Sequence, residues 1–435
     1  MPAAVARTMR LSVVEGGFTQ LFLNWTTGSV LIGYMLHYGA SPSELGLVAS
    51  VPLLAQTVSP LAAYAAGLFG RRKVLTAVTA MIGRGLWVVA AFLPQLGVAP
   101  ALMPFFLVML VAVSSLFQAG AGTLWAAWLG DLVPDERRGR YFGRRAGIVG
   151  VVGMTGSLGA GWFLDRVAAP LNFQLVLLVA VVCAAAGVLL YLLHYEPPFV
   201  SRRLSLKDTF VIPWRERNFR RFLVFAVYWH VAVLLAAPFV IPYFLGQLGM
   251  TFTQVALWGA IASSTALLTT SQWGRVADRF GNKAVLAIGT FLAGSSLPLC
   301  WILASWGGLG FIWASAVFDA LAWGAVGPAL FNLALVSAPK ADRVTFFAMF
   351  SLTTGLAGFA GGLLSGPLLA LLLPWQFDLG SFHWTGYHSL FVLSGLLRTQ
   401  AWRLLKPVQE TRAWRTRDVL RVMRPWKLNG FPWRQ

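Results

Sequence analysis

The segment GRVADRFGNKAVL, residues 274–286, places one acid and three cations between two long apolar stretches. A helix needs roughly 20 apolar residues to cross the hydrocarbon core of a bilayer, and each flanking stretch is long enough to do so. Gly281 allows a tight reversal of the chain, because glycine adopts left-handed backbone conformations without steric cost. The segment is therefore predicted to be a short charged turn between two membrane-spanning helices.

The composition of the 435-residue chain is that of an integral membrane protein: 57% of the residues are hydrophobic, 11% are charged, and the mean hydropathy is +0.70. Lys and Arg outnumber Asp and Glu by 34 to 15, which gives a net charge of +19. In a soluble protein this excess would suggest nucleic acid. Here the cations lie between the apolar stretches and at the two ends, so they indicate topology and contact with anionic lipids of the cytoplasmic leaflet.

Twelve membrane spans are predicted from the apolar stretches. Their approximate positions are 17–38, 45–69, 74–94, 100–130, 142–164, 171–193, 221–245, 253–275, 284–304, 308–337, 345–373 and 384–405. Arg398 and Arg403 interrupt the last one. Basic connecting segments alternate with segments whose only cation is Arg166, which predicts that both termini are cytoplasmic and that the first residues form a retained tail.

The predicted domains are an N-terminal six-helix bundle (1–193), a cytoplasmic linker (194–220), a C-terminal six-helix bundle (221–405) and a basic cytoplasmic tail (406–435). The two bundles carry an internal repeat. Residues 141–161 align with residues 346–366, which pairs Gly156 with Gly361 and Gly161 with Gly366. Equal orientation of the halves predicts parallel repeats about an axis along the membrane normal. The repeated glycines are expected to allow close helix packing.

These features resemble the major facilitator superfamily. Its signature Gly-x-x-x-Asp-Arg-x-Gly-x-Lys is matched in the turn quoted above, and the segment 134–143 is similar to the family's loop between helices four and five. In the first half, Gly67 and Leu68 replace the Asp and the Arg of the signature. The resemblance implies an all-α fold of twelve helices in two pseudo-symmetric bundles, and no subfamily is assigned.

The resemblance also implies that the loop residues control the conformational change. The predicted gating set comprises Gly274, Asp278, Arg279, Gly281, Lys283, Gly70, Arg71, Arg138 and Arg343. Asp278 is expected to face a helix N-terminus of the other bundle, near Arg144, where a carboxylate is favoured. Because Gly67 offers no carboxylate, a single acidic latch is predicted on the cytoplasmic side.

Polar groups inside the apolar stretches are functional candidates, since a charge at a helix centre costs about 2.5 to 3.5 kcal/mol on insertion scales. Asp319 shares one helix face with Ser315 and Trp323. Desolvation disfavours its ionised form, which predicts reversible protonation; the alternative is a structural acid paired with a nearby cation or hydroxyl. His230 either titrates near neutral pH or serves as a hydrogen-bonding partner.

A polar stripe on the first span consists of Gln20, Asn24 and Thr27, which must face a cavity or a partner helix. The resemblance implies that helices one, four, seven and ten line a central cavity. That arrangement would gather the predicted cavity set, which is Gln20, Asn24, Thr27, Gln118, His230, Asp319 and Trp323. Arg84 either snorkels or pairs inward, and Glu15 is either an acid near a helix N-terminus or a coupling group.

The sequence shows no phosphate-binding loop, and its scattered histidines predict neither a metal site nor a cofactor. Cys183 and Cys300 lie in apolar segments as packing residues. The predicted function is that of a transporter rather than an enzyme: a monomer in the inner membrane that moves a small organic molecule by alternating access, with proton coupling through Asp319. The rivals are a passive channel or lipid scramblase, and a membrane-embedded lipid-modifying enzyme. The tail lies on the cytoplasmic leaflet or is disordered.

Overall fold

A computed structural model describes residues 3–197, 212–339 and 343–410, except for the side chains of residues 60, 63, 67, 135, 136, 343 and 344. The N-terminal half contains nine α-helices: α1 (Ala3–Thr26), α2 (Gly28–His37), α3 (Pro42–Ala55), α4 (Ser59–Phe69), α5 (Arg72–Gly85), α6 (Trp87–Phe92), α7 (Met103–Leu132), α8 (Asp135–Leu164) and α9 (Leu171–Leu192). The C-terminal half contains α10 (Arg217–Leu234), α11 (Val240–Pro242), α12 (Phe252–Phe280), α13 (Asn282–Gly307), α14 (Gly310–Ser337), α15 (Arg343–Leu372), α16 (Gly386–Gln400) and α17 (Trp402–Leu405). A small hairpin of β1 (Phe377–Leu379) and β2 (Phe382–Trp384) connects α15 to α16.

Within the described ranges, nine helical stretches are long and apolar enough to cross a membrane. The other three predicted spans are interrupted or short. The first is divided between α1 and α2, where Gly28 has a φ of 57°. A 3-10 turn, Gln56–Val58, separates α3 from α4, and α16 has only 15 residues.

The first helix begins much earlier than predicted, at Ala3 instead of residue 17. The residues interpreted as a tail are helical because they pack against α8: the Tyr141 hydroxyl donates to Ser12 Oγ at 2.9 Å, and Arg145 Nε donates to the Ser12 carbonyl at 3.1 Å. A hydropathy rule detects only the part of a helix that lies in hydrocarbon. It therefore truncates a helix that continues through a polar stretch.

Within the described ranges, the most extensive contacts between the halves are those of α3 with α15 and of α8 with α12. The aligned glycines make equivalent contacts in these pairs. A Cβ on Gly161 would lie 2.7 Å from the Phe252 carbonyl oxygen, and one on Gly366 would meet the backbone of Ser43. Likewise, Gly156 faces α1 and Gly361 faces α10. The sequence repeat thus corresponds to a repeat in the packing.

The basic residues within 71–73, within 137–145 at the start of α8, and within 279–283 lie at one end of the molecule, which we call the basic end; the other is the opposite end. Gly70 and Gly281 end α4 and α12 with φ angles of 63° and 93°. Both turns therefore use the left-handed backbone region that glycine favours.

Each half also has an acidic cap at its basic end. The Glu196 carboxylate accepts the Lys73 backbone N–H at 3.0 Å, and the Glu410 carboxylate accepts the Lys283 backbone N–H at 2.8 Å. Lys283 Nζ donates to the carbonyls of Lys406 and Val408. Lys283 of the predicted gating set is therefore bound within its own half. Most of the predicted basic tail, residues 411–435, lies outside the described residues.

Candidate functional site

A cavity of about 690 Å³ lies mainly within the N-terminal half. Its polar lining consists of Glu15, Thr19, Gln20, Thr26, Thr27, Gln56, Arg84, Ser115, Gln118, Arg145 and Tyr191. In the described part of the C-terminal half, the lining residues are Ala237, Pro238 and Ile241. The cavity is thus strongly asymmetric between the halves.

Glu15 is the centre of a buried group that we call the ion cluster: Glu15, Thr19, Arg84, Arg145 and Tyr191. Glu15 is 1% exposed. Its Oε1 accepts the hydroxyls of Thr19 at 2.7 Å and Tyr191 at 2.9 Å, and its Oε2 lies 3.3 Å from Arg145 Nη2. A buried charge is stable only when it is paired and hydrogen-bonded in this way.

The interpretation of Glu15 as an acid near a helix N-terminus is wrong. Helix α1 begins at Ala3, so Glu15 lies three turns into it, beyond the reach of the terminal amides. Burial of the first half of α1 against α8 and α9 is what places the carboxylate inside the protein. The sequence signal that was available was the pair Glu15 and Thr19, four residues apart on one helix face.

Arg84 pairs inward and does not snorkel. Its Nη1 donates to Thr19 Oγ1 at 3.1 Å, and its guanidinium lies 5.7 Å from the centre of the Phe22 ring. Arg84 is 6% exposed, and its Nε has no hydrogen-bond partner within the ranges that the structure describes. One of the two cluster cations therefore keeps an unused donor.

Arg145 is held by stacking and by a close helix approach. Its guanidinium lies 4.5 Å from the centre of the Trp125 ring. A Cβ on Gly16 would collide with this guanidinium and with Val149, whereas one on Gly17 would have only ordinary contacts. Glycine at position 16 therefore lets Arg145 reach Glu15. In the sequence, Arg145 looked only like part of a basic loop.

Three members of the predicted cavity set line the cavity: Gln20, Thr27 and Gln118. Asn24 turns away toward α8, where its Nδ2 donates to Ser157 Oγ at 2.9 Å. Thr27 lies at the break between α1 and α2, so the predicted stripe does not follow one continuous helix. The break arises because the left-handed Gly28 interrupts the helix.

The other three members, His230, Asp319 and Trp323, are in the C-terminal half and are not among the lining residues described above. His230 Nδ1 lies 2.7 Å from the Ala226 carbonyl oxygen. Asp319 has Trp323 as a hydrogen-bonding neighbour, and the charge of Arg398 acts on it. The fully buried Arg398 donates from Nη2 to the Val233 carbonyl at 3.0 Å. The structure therefore does not bring the whole predicted set together.

The predicted gating set occupies the basic end. Asp278 is exposed, and among the described residues its carboxylate makes no hydrogen bond or ion pair with α8. The Arg279 guanidinium lies 5.4 Å from the Phe280 ring centre. Arg138 Nη2 donates to the Gly130 carbonyl at 2.8 Å, within its own half. The remaining members are Gly274 in α12, the exposed Arg71, the turn glycines Gly70 and Gly281, Lys283, and Arg343, whose side chain is outside the described residues.

An acidic contact between the halves exists at the opposite end. The Asp165 carboxylate accepts the backbone N–H groups of Phe252 and Thr253 at 2.8 and 2.9 Å, where α12 begins. A carboxylate is favoured at a helix N-terminus. This is the type of contact predicted for Asp278, but it involves a different residue at the other end. Sequence reasoning missed it because Asp165 belongs to no recognised motif.

Toward the basic end, by contrast, α4 packs mainly against α7 and α5 of its own half. The contacts of α3 with α15 include Gly46 against the Gly362 carbonyl and Gly366 against Ser43, toward the opposite end. The halves are therefore joined near the opposite end and separate toward the basic end.

Comparisons with known proteins agree with this architecture. Residues 16–362 match the family model described as Major Facilitator Superfamily. The fold is similar to that of a mutant form of the nucleoside transporter NupG, with a TM-score of 0.71 and 14% identity over 92% of this chain and 100% of that one. It is also similar to a D-xylose-proton symporter, with a TM-score of 0.71 and 15% identity over 95% and 99% of the two chains.

A third similar structure is a bacterial homologue of the human lysosomal transporter Spinster in an inward-facing, occupied conformation, with a TM-score of 0.69 and 16% identity over 94% and 98% of the chains. A comparison with curated proteins finds no match. The structural likenesses support the fold, and the sequence match to the family model covers well over half of the chain. The chain therefore belongs to the Major Facilitator Superfamily, as its loop motifs predicted.

Proposed function

We propose that this protein is a secondary transporter that moves a small organic molecule across the membrane by alternating access. The observation that carries the proposal is a cavity beside a junction of two halves that touch near one end and separate toward the other. Rocking of two such halves exposes a site to each side in turn. Similar structures are named as a nucleoside transporter, a D-xylose-proton symporter and a POT family transporter in complex with a thioalcohol-conjugated peptide, which supports an organic solute without selecting one.

The proposal includes the predicted topology. Twelve membrane crossings form two bundles, 1–193 and 221–405, which the segment 194–220 joins. Both termini are in the cytoplasm, and the protein is a monomer in the inner membrane. The cations of the basic end support a cytoplasmic position, where they would contact anionic lipids. In this topology the described conformation faces inward.

Counterflow in proteoliposomes tests transport. A solute that raises the thermal stability of the purified protein serves as the labelled substrate. With unlabelled solute inside, we expect the labelled solute to accumulate transiently above its equilibrium level. Equilibration without this overshoot would indicate a passive channel, and translocation of a fluorescent lipid above the level of empty liposomes would indicate a scramblase.

A matched glycine pair adds a control to the same assay. A Cβ on Gly46 would lie 2.6 Å from the Gly362 carbonyl oxygen, whereas a Cβ on Gly327 meets nothing within 4 Å. Gly46→Ala should therefore lower the exchange rate at least tenfold, and Gly327→Ala should leave it unchanged. Equal rates in the two variants would argue against a functional junction between α3 and α15.

The proposal also includes proton coupling through Asp319. Its support is a carboxylate inside an apolar helix, with Arg398 as the cation whose charge acts on it. Asn imitates the protonated acid, so Asp319→Asn should abolish accumulation driven by a pH gradient and preserve counterflow. The control is Asp378→Asn on the exposed hairpin, where Asp378 pairs with His383. Full pH-driven accumulation by well-inserted Asp319→Asn would refute the coupling role.

A further inference from the structure

The cavity contains more positive than negative charge. The ionisable side chains in its described lining are Glu15, Arg84, Arg145 and Tyr191. One carboxylate therefore faces two guanidinium groups, which remain protonated in proteins. Both side chains are largely buried, with an exposed fraction of 6% for Arg84 and 15% for the side chain of Arg145, and a buried charge is unfavourable unless a counter-charge binds.

Glu15 is already fully engaged by other partners. Its Oε1 accepts two hydroxyls, and its Oε2 pairs with Arg145. Arg84 reaches this carboxylate through hydroxyl groups: Thr19 accepts from Arg84 and donates to Glu15, and Tyr191, which also donates to Glu15, is a further hydrogen-bonding neighbour of Arg84. The single negative charge of the cluster is thus committed mainly to Arg145.

Arg84 is a buried cation with an unused hydrogen-bond donor. It is 6% exposed, lines the cavity and has a buried Nε without a partner among the described groups. Its orientation is fixed by Thr19 and by the Phe22 ring, and a Cβ on Gly187 of α9 would lie 3.6 Å from Nη1. A guanidinium held in one orientation is suited to a planar carboxylate, which it can bind through two parallel hydrogen bonds.

The rest of the lining is apolar and favours a ligand with an aromatic or aliphatic body. Trp87 and Trp125 contribute aromatic faces, and Leu23, Leu31 and Ile32 contribute aliphatic ones. A volume of about 690 Å³ lies within the range of pockets that take drug-sized molecules. The lining therefore combines one anion-binding point with an apolar chamber.

We propose that Arg84 binds the carboxylate of the transported molecule, which is a small monocarboxylate with an apolar or aromatic body. This inference rests on the proposed transport function, because it assigns the substrate class to the same cavity. One monoanion balances the surplus positive charge of the lining. A neutral analogue would leave the Arg84 donor unpaired and would bind more weakly.

The test uses charge-matched probes with purified protein. The carboxylates are benzoate and indole-3-acetate, their neutral partners are benzamide and indole-3-acetamide, and inorganic phosphate is a further anion. Binding is followed by the apparent unfolding temperature and by tryptophan fluorescence, since Trp87 and Trp125 line the cavity. We expect at least one carboxylate to bind at least tenfold more tightly than its amide.

Three variants test whether the preference for a carboxylate depends on Arg84. Arg84→Gln should remove the difference between carboxylate and amide, and Arg84→Lys should retain part of it. Arg166→Gln is the matched control, because the exposed Arg166 lies 4.2 Å from the Trp162 ring centre at the opposite end, outside the cavity lining. If Arg84→Gln does not fold, the comparison of carboxylates with amides on the unaltered protein still tests whether the cavity prefers a carboxylate.

The inference is overturned if no carboxylate binds, if the amides bind as tightly, if phosphate binds more tightly than the carboxylates, or if Arg84→Gln keeps the difference. The counterflow assay tests the transport function separately. Counterflow of a neutral solute without any preference for carboxylates would support the transport function and refute the Arg84 site. Arg84-dependent carboxylate binding without counterflow of that carboxylate would retain the site and refute the transport function.

Discussion

Replacing Glu15 with alanine is expected to lower the free energy of unfolding by about 3 to 5 kcal/mol, the usual effect of removing one member of a buried ion pair. Glu15 is 1% exposed and accepts hydrogen bonds from three side chains. Its removal leaves Arg145, with a side chain only 15% exposed, and Arg84 without a counter-charge inside the protein.

The unfolding midpoint in mixed micelles measures this effect. Glu44→Ala is the matched control: Glu44 is only partly buried and forms a capping box with Ser41, so its loss should cost about 1 kcal/mol or less. Replacing both Glu15 and Arg145 should cost less than the sum of the single changes, because the two side chains are in contact. Equal losses from Glu15→Ala and Glu44→Ala would refute the stabilising role of the ion cluster.

Asp165→Ala is expected to open the opposite end. Hydrogen bonds to charged groups contribute about 1.5 to 3 kcal/mol, and the exposure of Asp165 favours the lower value. A loss of about 1.4 kcal/mol corresponds to a tenfold change in the ratio of two states. Because the bonds to Phe252 and Thr253 join the halves only when the opposite end is closed, the population should shift toward the state closed at the basic end.

Distances between spin labels measure the two populations in liposomes. Exposed Ala168 and Leu379 serve as label sites at the opposite end, after replacement of the buried Cys183 and Cys300. Arg166→Ala is the control, since the hydrogen bond of Arg166 to the Trp162 carbonyl stays within its own half. An unchanged distance distribution in Asp165→Ala would show that this contact does not hold the end closed.

The proposed latch at Asp278 makes the opposite prediction in the same experiment. If Asp278 closes the basic end in the outward-facing state, Asp278→Asn should increase the population that is open at the basic end. Shifts of the two variants in the same direction would contradict a pair of latches at the two ends. The exposed position of Asp278 in the described conformation agrees with an open basic end.

The sequence was sufficient for the family, for the approximate position of most helices and for the internal repeat. Hydropathy and charge alternation are local properties, and the charged turn at Gly281 has the backbone conformation that its motif requires. The glycines Gly161 and Gly366, aligned from the sequence alone, make matching contacts between the halves. Close packing selects small residues at fixed intervals, so this part of the tertiary structure is encoded as a visible pattern.

The partners of the buried charges were decided only by the tertiary structure. Glu15, Arg84, Arg145 and Tyr191 come from four helices, α1, α5, α8 and α9, and no spacing in the sequence relates them. Hydropathy measures the cost of a single charge in hydrocarbon but not the partner that offsets this cost. The shape of the cavity also depends on how the two halves are placed relative to each other. A local sequence pattern cannot specify that placement, because it depends on contacts between helices that are far apart in the sequence.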